Sequence, residues 1–320
     1  MTTTTVRTFE MGRATREAYA DALVALGDEF PNLYVLDADL SKSTKSGSFG
    51  KKYPDRYQNV GIAEANMVSI ASGLASVGYV PFCGSFACFL LCKGYDQIRA
   101  CVTYPGNNVK FLGSHGGISI GEDGPSQMGI EDVALATSLP GMVVAVPADD
   151  VSMEGLVRSA LQHPGPVYLR AGRPAFPRVH AGRRDFQLGR AIVLEEGRDV
   201  AILANGLMVA EALQARDLLA ASGIDVMVID CHTVKPLDPE AIRRAVSTGA
   251  IVTAEEHQVW GGLGAAVAQA VVRTRPVPVE HVAIQDTYAE SGTPRQLLER
   301  YGLTHLHVAE AVRRVLMRKC

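Results

Sequence analysis

The sequence predicts an α/β protein of two domains, each a mostly parallel sheet with helices on both faces. Short runs rich in Val, Ile and Leu alternate with helix-length segments along the whole of the 320 residues, the pattern of parallel strands joined by helical crossovers. The alternation breaks once, in the proline-, glycine- and arginine-rich stretch GRPAFPRVHAGRRDFQLGR at 172–190, and then restarts. The length suits about two domains at the usual 100–200 residues each. The division expected is a first domain at 1–175, a linker at 176–190 and a second domain at 191–320.

In the first domain, ATREAYADALVALGDEF (14–30) has helical apolar spacing and NLYVLDAD (32–39) reads as a strand, followed by a polar loop. EANMVSIASGLASVG (64–78) is a helix, YVPFCGS (79–85) a strand, FACFLLCKGYDQIRACVTY (86–104) a helix and NVKFLGSH (108–115) a strand. A helix at 130–139, a strand at 141–148, a helix at 150–162 and a strand at 166–171 complete it. The second domain repeats the pattern with strands at 199–206, 224–230, 249–256 and 279–284. Helices are expected at 207–222, 238–247, 262–273, near 294–301 and at 307–318.

Composition narrows the function classes. With 47% hydrophobic residues, 20% charged residues and a net charge of −3, the chain has an ordinary globular make-up and no polycationic surface for nucleic acid. Met1 to Phe9 is threonine-rich without an apolar stretch, so no signal peptide is read. No charge occurs between Glu64 and Lys93, but Gly73, Gly78, Pro81 and Gly84 interrupt that stretch. A buried helix–strand–helix passage fits it better than a membrane span. The cysteines at 83, 88, 92, 101, 231 and 320 form no C-x-x-C and have apolar surroundings. Reduced core thiols in a cytoplasmic protein are expected. A metal pair at Cys88 and Cys92, one helical turn apart, is the weaker alternative.

In open α/β sheets ligands bind beyond the carboxyl ends of the strands. Polar residues gather in those loops here: Asp39 to Ser48, Ser85 and Phe86, Ser114 to Gln127, and Arg170 to Arg173. The stretch SHGGISIGEDGPSQMGIED (114–132), which contains the third loop, holds five glycines, more than a connector needs. Glu64, at a helix start, is either a first-turn carboxylate favoured by the helix dipole or a buried acid that shuttles a proton. Phe86 and Phe89 are core residues or a platform for a flat heterocycle. His115, Glu122, Asp123 and Gln127 are turn residues or substrate contacts. Arg16, Arg170 and Arg173 could clamp an anion. WGGLG (260–264) resembles a phosphate-cradling turn without the full spacing, and is read as strand–helix packing.

The loop, together with VGIAEANMVSIASGLA, PFCGSFACFLLCKGYDQIR, VYLRAGRP, KPLD and AEEHQVWGGLGAAVAQAV, closely resembles transketolase, across its pyrimidine-binding and C-terminal domains only. GEDGPSQM is the specific part; 1-deoxyxylulose-5-phosphate synthase and the beta subunits of 2-oxo-acid dehydrogenases differ there. The resemblance implies that Glu64 is the catalytic glutamate, holding a proton against N1′ of thiamine diphosphate so that the imino tautomer deprotonates the thiazolium C2. It implies that Phe86 and Phe89 wall the aminopyrimidine, that Asp39 supports Glu64, and that His115 has a catalytic part. It assigns His115 and Asp123 to sugar hydroxyls and Arg16, Ser43, His115 and Arg173 to the phosphate. Gln127 stands where many members carry a histidine, and Cys92 where some carry a tyrosine.

No metal ligand is expected in this chain. The resemblance implies that Mg2+ and the diphosphate are held by a partner carrying a GDG-type motif, which is not found here. The expectation is one subunit of a split transketolase, a two-by-two heterotetramer acting on sugar phosphates. Helix 64–78 would form part of a contact across a two-fold axis. A beta-type subunit of another thiamine diphosphate enzyme and a non-catalytic regulatory subunit are the alternatives. Arg173 speaks against the first, and intact Glu64 and the aromatic pair against the second.

Overall fold

The computed structural model describes residues 6–180, 182 and 185–319. The first residues of the threonine-rich start, three positions of the expected linker (Ala181, Arg183 and Arg184) and Cys320 lie outside the described residues. In chain order the elements are β1 (Met11–Ala14), α1 (Thr15–Leu26), β2 (Leu33–Asp37), α2 (Ser41–Thr44), α3 (Gly47–Lys52), β3 (Tyr57–Asn59), α4 (Glu64–Ser76), β4 (Val80–Phe86), α5 (Ala87–Gln97), β5 (Lys110–Ser114), α6 (Asp132–Ser138), β6 (Val143–Ala145), α7 (Asp150–Gln162) and β7 (Val167–Arg170). They continue as β8 (Ala175–Pro177), β9 (Ile192–Glu195), β10 (Val200–Ala204), α8 (Met208–Ala220), β11 (Val226–Asp230), β12 (Thr233–Lys235), α9 (Pro239–Ser247), β13 (Ile251–Gln258), α10 (Leu263–Thr274), β14 (Val279–Ile284), α11 (Pro294–Arg300) and α12 (His305–Leu316).

Two mostly parallel sheets result. The first has the order β12-β6-β7-β5-β4-β2-β3 and the second β14-β13-β10-β11-β9. One end strand in each runs antiparallel to its neighbour, β12 against β6 and β9 against β11. The strands of the first sheet alternate their side chains between two layers. Val35, Phe82 and Leu112 face α1 and α7, while Leu36, Cys83 and Phe111 face α4, α5 and α6. Each such buried aliphatic or aromatic side chain contributes about 1.5–3 kcal/mol. The layer holding Leu36 and Phe111 continues without a break into Leu203, Ile229, Val267 and Val271 of the second domain, so the two sheets share one apolar core.

Several elements depart from the expected pattern. The polar loop after β2 carries α2, α3 and β3, and α5 runs on into a π-helical turn at Ile98–Thr103. The expected linker is packed rather than loose. β8 pairs with β1, and buried His180 meets Asp230 of β11 at 2.8 Å through Nε2. β12 crosses from the second half of the chain to the first sheet, with Thr233 opposite Ala145.

The thiols also need correction. Cys83, Cys88 and Cys231 are buried, but Cys92 is exposed and Cys101 only partly covered; all five are free. Among the described residues no group of three His, Cys, Asp or Glu is arranged to hold a metal ion. No helix among them is long and apolar enough to cross a membrane. The turn in WGGLG is occupied by the protein's own anion: Glu255 accepts the backbone N–H of Leu263 and of Gly264, each at 2.7 Å.

Candidate active site

β2, β4, β5, β6 and β7 run parallel, so the loops after them open on one edge of the sheet. Asp37 ends β2 and is fully buried. Its carboxylate accepts the Leu40 N–H at 2.6 Å, the Thr44 hydroxyl at 2.7 Å and the Ser46 hydroxyl at 2.8 Å. Burial raises its pKa, with these bonds pulling the other way. The bonds fold residues 40–46 into a fixed turn that presents Ser43, whose carbonyl accepts Arg16 Nη1 at 2.8 Å.

Asp39 does not support Glu64 directly. It is exposed, adopts φ +62° and pairs with Asn59, its N–H meeting Asn59 Oδ1 at 3.0 Å. The same Oδ1 accepts Gly61 N–H at 2.9 Å. Asp39 thus ties down the segment that leads to Glu64, and touches the glutamate itself nowhere.

Glu64 is the first residue of α4 and 3% exposed, where the helix dipole favours a negative charge. Ser85 Oγ donates to its Oε1 at 3.4 Å, and Lys93 Nζ lies 3.5 Å from the same oxygen. The ammonium also sits 4.4 Å above the centre of the Phe89 ring. Phe86 ends β4 and Phe89 lies in the first turn of α5, their rings stacked at 5.4 Å and 16°. Phe86 is buried between Phe89 and His115, so the half-buried Phe89 offers the more open aromatic face.

His115 follows β5 with φ +59° and is 2% exposed. Ser114 Oγ lies 2.8 Å from its Nδ1. Burial, with the charges of Arg16 and Arg173 adding to it, pulls the imidazole down to about 3. The ring is neutral at physiological pH, a weak base and a usable N–H donor. Arg16 is half-buried, its Nε enclosed with no hydrogen-bond partner; burial lowers its pKa and the charge of Arg173 adds to this, while Glu17 and Asp123 pull the other way. Arg173 Nη1 donates to the Ile120 carbonyl at 2.5 Å and to Glu122 at 3.1 Å. Two guanidiniums, one with an unmet donor, and a neutral imidazole therefore share one place. That arrangement suits an oxyanion.

Arg170 is no part of it. Asp132 takes its Nε and Nη2 at 3.0 Å each, and the carbonyls of Gly129 and Glu256 take Nη2 and Nη1. The expected third clamp is a saturated structural residue. Asp123 and Gln127 lie on the rim, Asp123 exposed and Gln127 half-exposed in the turn Pro125–Gln127. Asp123 acts on Arg16 through its charge, and the Gln127 side chain forms no hydrogen bond among the described residues. The structure therefore gathers Glu64, Phe86 and Phe89 in one group and Arg16, Ser43, His115 and Arg173 in another. Asp37, Ser85 and Lys93 complete these groups; sequence reading placed Ser85 among the polar loop residues but did not single out Asp37 or Lys93. The acid closing the strand VLD, just before a hydroxyl-rich turn, was the one available signal for Asp37.

Known proteins resemble this chain in sequence and fold. The model of the transketolase pyrimidine binding domain matches residues 11–178, and that of the transketolase C-terminal domain residues 189–308. The chain belongs to the transketolase family. It is a transketolase-type, thiamine-diphosphate-dependent ketol-transfer subunit. The transketolase subunit SqwH of Clostridium sp. (strain MSTE9), named for 6-deoxy-6-sulfo-D-fructose, is 41% identical over 305 residues, 95% of each chain. The human transketolase is 40% identical over 94% of this chain, which spans 48% of that protein. A solved split-gene transketolase, described as an inactive beta4 tetramer, is 47% identical with a TM-score of 0.91, covering 97% of this chain and 100% of that one. The Leishmania mexicana transketolase, 23% identical with a TM-score of 0.81 over 98% of this chain and 47% of that one, shares the fold.

Proposed function

We propose that this transketolase-family chain works with a partner carrying a GDG-type motif, in a two-by-two assembly, to move a two-carbon ketol unit between sugar phosphates. The observation that carries the reading is one stack: Phe86 lies between Phe89, beside Glu64, and His115, beside the two arginines. A cofactor ring on one side and an anionic substrate on the other would then meet across a single aromatic ring. A buried carboxylate at a helix start, near the half-buried Phe89 ring, fits the aminopyrimidine half of thiamine diphosphate.

When bound, that cofactor supplies the electron sink that ketol transfer requires. Glu64 holds a proton at its carboxylate, oriented by Ser85. Phe86 and Phe89 exclude water from that carboxylate. Arg16, Arg173 and the neutral His115 N–H hold the phosphate, and Ser43 fixes Arg16 through its carbonyl. Asp123 and Gln127, on the rim, are assigned to the sugar hydroxyls. Mg2+ and the diphosphate, which need oxygen ligands, are assigned to the partner. The pyrimidine-binding domain is taken as 1–175 and the C-terminal domain as 191–320. The five free thiols fit a reducing compartment, and we place the protein in the cytoplasm.

The anion site is made of guanidiniums and a neutral N–H donor, which read any tetrahedral oxyanion. A ketose bearing a sulfonate therefore fits as well as one bearing a phosphate, in keeping with the substrate named for SqwH. Reconstituting the chain with its partner, cofactor and Mg2+ and comparing phosphorylated, sulfonated and uncharged donors tests the reading. No ketol transfer with any of them would overturn it.

A further inference from the structure

Glu256 lies in β13 of the second sheet, yet its side chain is spent on the glycine-rich loop of the first domain. It is 4% exposed. Its carboxylate accepts the backbone N–H of Ser119 and, at 3.2 Å, the Ser119 hydroxyl. Its own carbonyl accepts Arg170 Nη1 at 2.7 Å. Gly117 has φ +85°, and a Cβ there would lie 2.2 Å from Glu256 Cδ, so loop backbone and carboxyl touch with nothing between them. Ser119 stands between the two residues that matter to the anion site. His115 is a few residues before it, and next after it is Ile120, whose carbonyl carries Arg173.

We propose that Glu256 is a positioning residue for substrate: from the second domain it fixes the turn 117–120, and with it both His115 and the rest on which Arg173 lies. The proposal depends on reading Arg16, His115 and Arg173 as the substrate anion site. The groups around the carboxyl are few. Arg170 of β7 lies alongside, itself neutralised by Asp132 of α6. On β13, Glu255 is occupied with the start of α10, and His257 Nε2 accepts Ala134 N–H. Burial pushes the Glu256 carboxyl up to about 7, against the pull of Arg170 and the Ser119 donors. Below that pH the carboxyl carries its own proton, the Ser119 N–H meets a neutral instead of a charged acceptor, and the hold on the turn weakens.

The test compares wild type and Glu256→Gln in the reconstituted complex from pH 6 to 9. At pH 8 the substitution should raise KM for a phosphorylated donor about tenfold, the worth of a hydrogen bond to a charged group, with kcat and cofactor affinity little changed. In wild type KM should climb as pH falls through about 7, and this limb should vanish in Glu256→Gln. The substrate phosphate titrates near pH 6 but does so equally in both proteins, so it cancels in the comparison. Parallel pH profiles, or equal losses in kcat and KM, would overturn the proposal.

Gly117→Ala pushes on the carboxyl from the loop side and should reproduce the KM effect, deciding the matter if Glu256→Gln does not fold; an unchanged KM would overturn it. Amide exchange on the full chain separates this proposal from the ketol-transfer reading, because it needs no partner and no turnover. Protection at Ile118 and Ser119 should fall in Glu256→Gln. Unchanged protection there would sink the positioning role even in an active enzyme, whereas lost protection in a complex without turnover would count against the activity alone.

Discussion

The imidazole of His115 lies flat against the ring of Phe86, with centroids 3.9 Å apart and planes 24° from parallel. The residue facing the anion site and a residue of the proposed cofactor wall are thus in direct contact. Phe86→Leu should therefore weaken two things together, raising the Kd for thiamine diphosphate and the KM for an anionic donor. Calorimetry and steady-state kinetics on the complex check this; a change in only one of the two would show that the stack does not couple them.

His115 should stay neutral from pH 5 to 8, because burial first and the two arginines next hold its pKa at about 3. The unfolded chain protonates the imidazole near 6.5 and so binds more protons than the folded one between that value and about 3. Stability from this group is full above the unfolded value and is lost as pH falls through the window. NMR of the ring should show no titration above pH 5, and His115→Phe should flatten the acid limb of the unfolding curve. A ring titrating near 6.5 would contradict the buried, doubly cationic setting.

Glu64→Gln in the complex should cost about 10²–10⁴-fold in turnover, the usual worth of one positioned proton-transfer group. Cofactor affinity should change by no more than about tenfold, since a single hydrogen bond is altered. Turnover within a factor of about three of wild type, far less than loss of such a group removes, would end the assignment.

Arg173→Ala should lower kcat/KM for a phosphorylated donor by about tenfold or more, as loss of a charge-assisted pair does, and leave an uncharged donor nearly unaffected. Arg16→Lys tests the same site differently: it keeps the charge and removes the enclosed Nε donor, so it too should impair the phosphorylated donor selectively. Equal losses on both donors would make these residues structural.

The isolated chain should bind thiamine diphosphate poorly and transfer no ketol unit until its partner is added. In the proposed reading Glu64, Phe86 and Phe89 are assigned to the pyrimidine half alone. Calorimetry with cofactor and Mg2+, before and after adding the partner, measures this. Micromolar binding and turnover by this chain alone would show that it carries both halves of the site.

Much of this was legible in the sequence, for physical reasons that also explain the gaps. Long amphipathic helices such as α1, α4 and α7 and apolar strands such as β4 and β10 announce themselves through periodicity. The elements α2 and α3 do not, since the stretch SKSTKSGSFGKK has almost no apolar repeat; its first part is shaped by the Asp37 carboxylate. Arg170 and Arg173 look alike in RAGR, and only the fold reveals that Asp132 and two backbone carbonyls occupy the first. Glu256 and Ser119 were out of reach because their contact spans 137 positions, and no local pattern encodes it.

β12 adds a last consequence. Three residues from the second half of the chain hydrogen-bond along β6 and close that end of the first sheet. A fragment cut after the linker would leave Val143–Ala145 as a bare, apolar border, the kind of edge that recruits a strand from a neighbouring molecule. The two halves of this polypeptide are therefore not interchangeable modules: swapping or expressing one without the other should yield material that clumps rather than a smaller working piece.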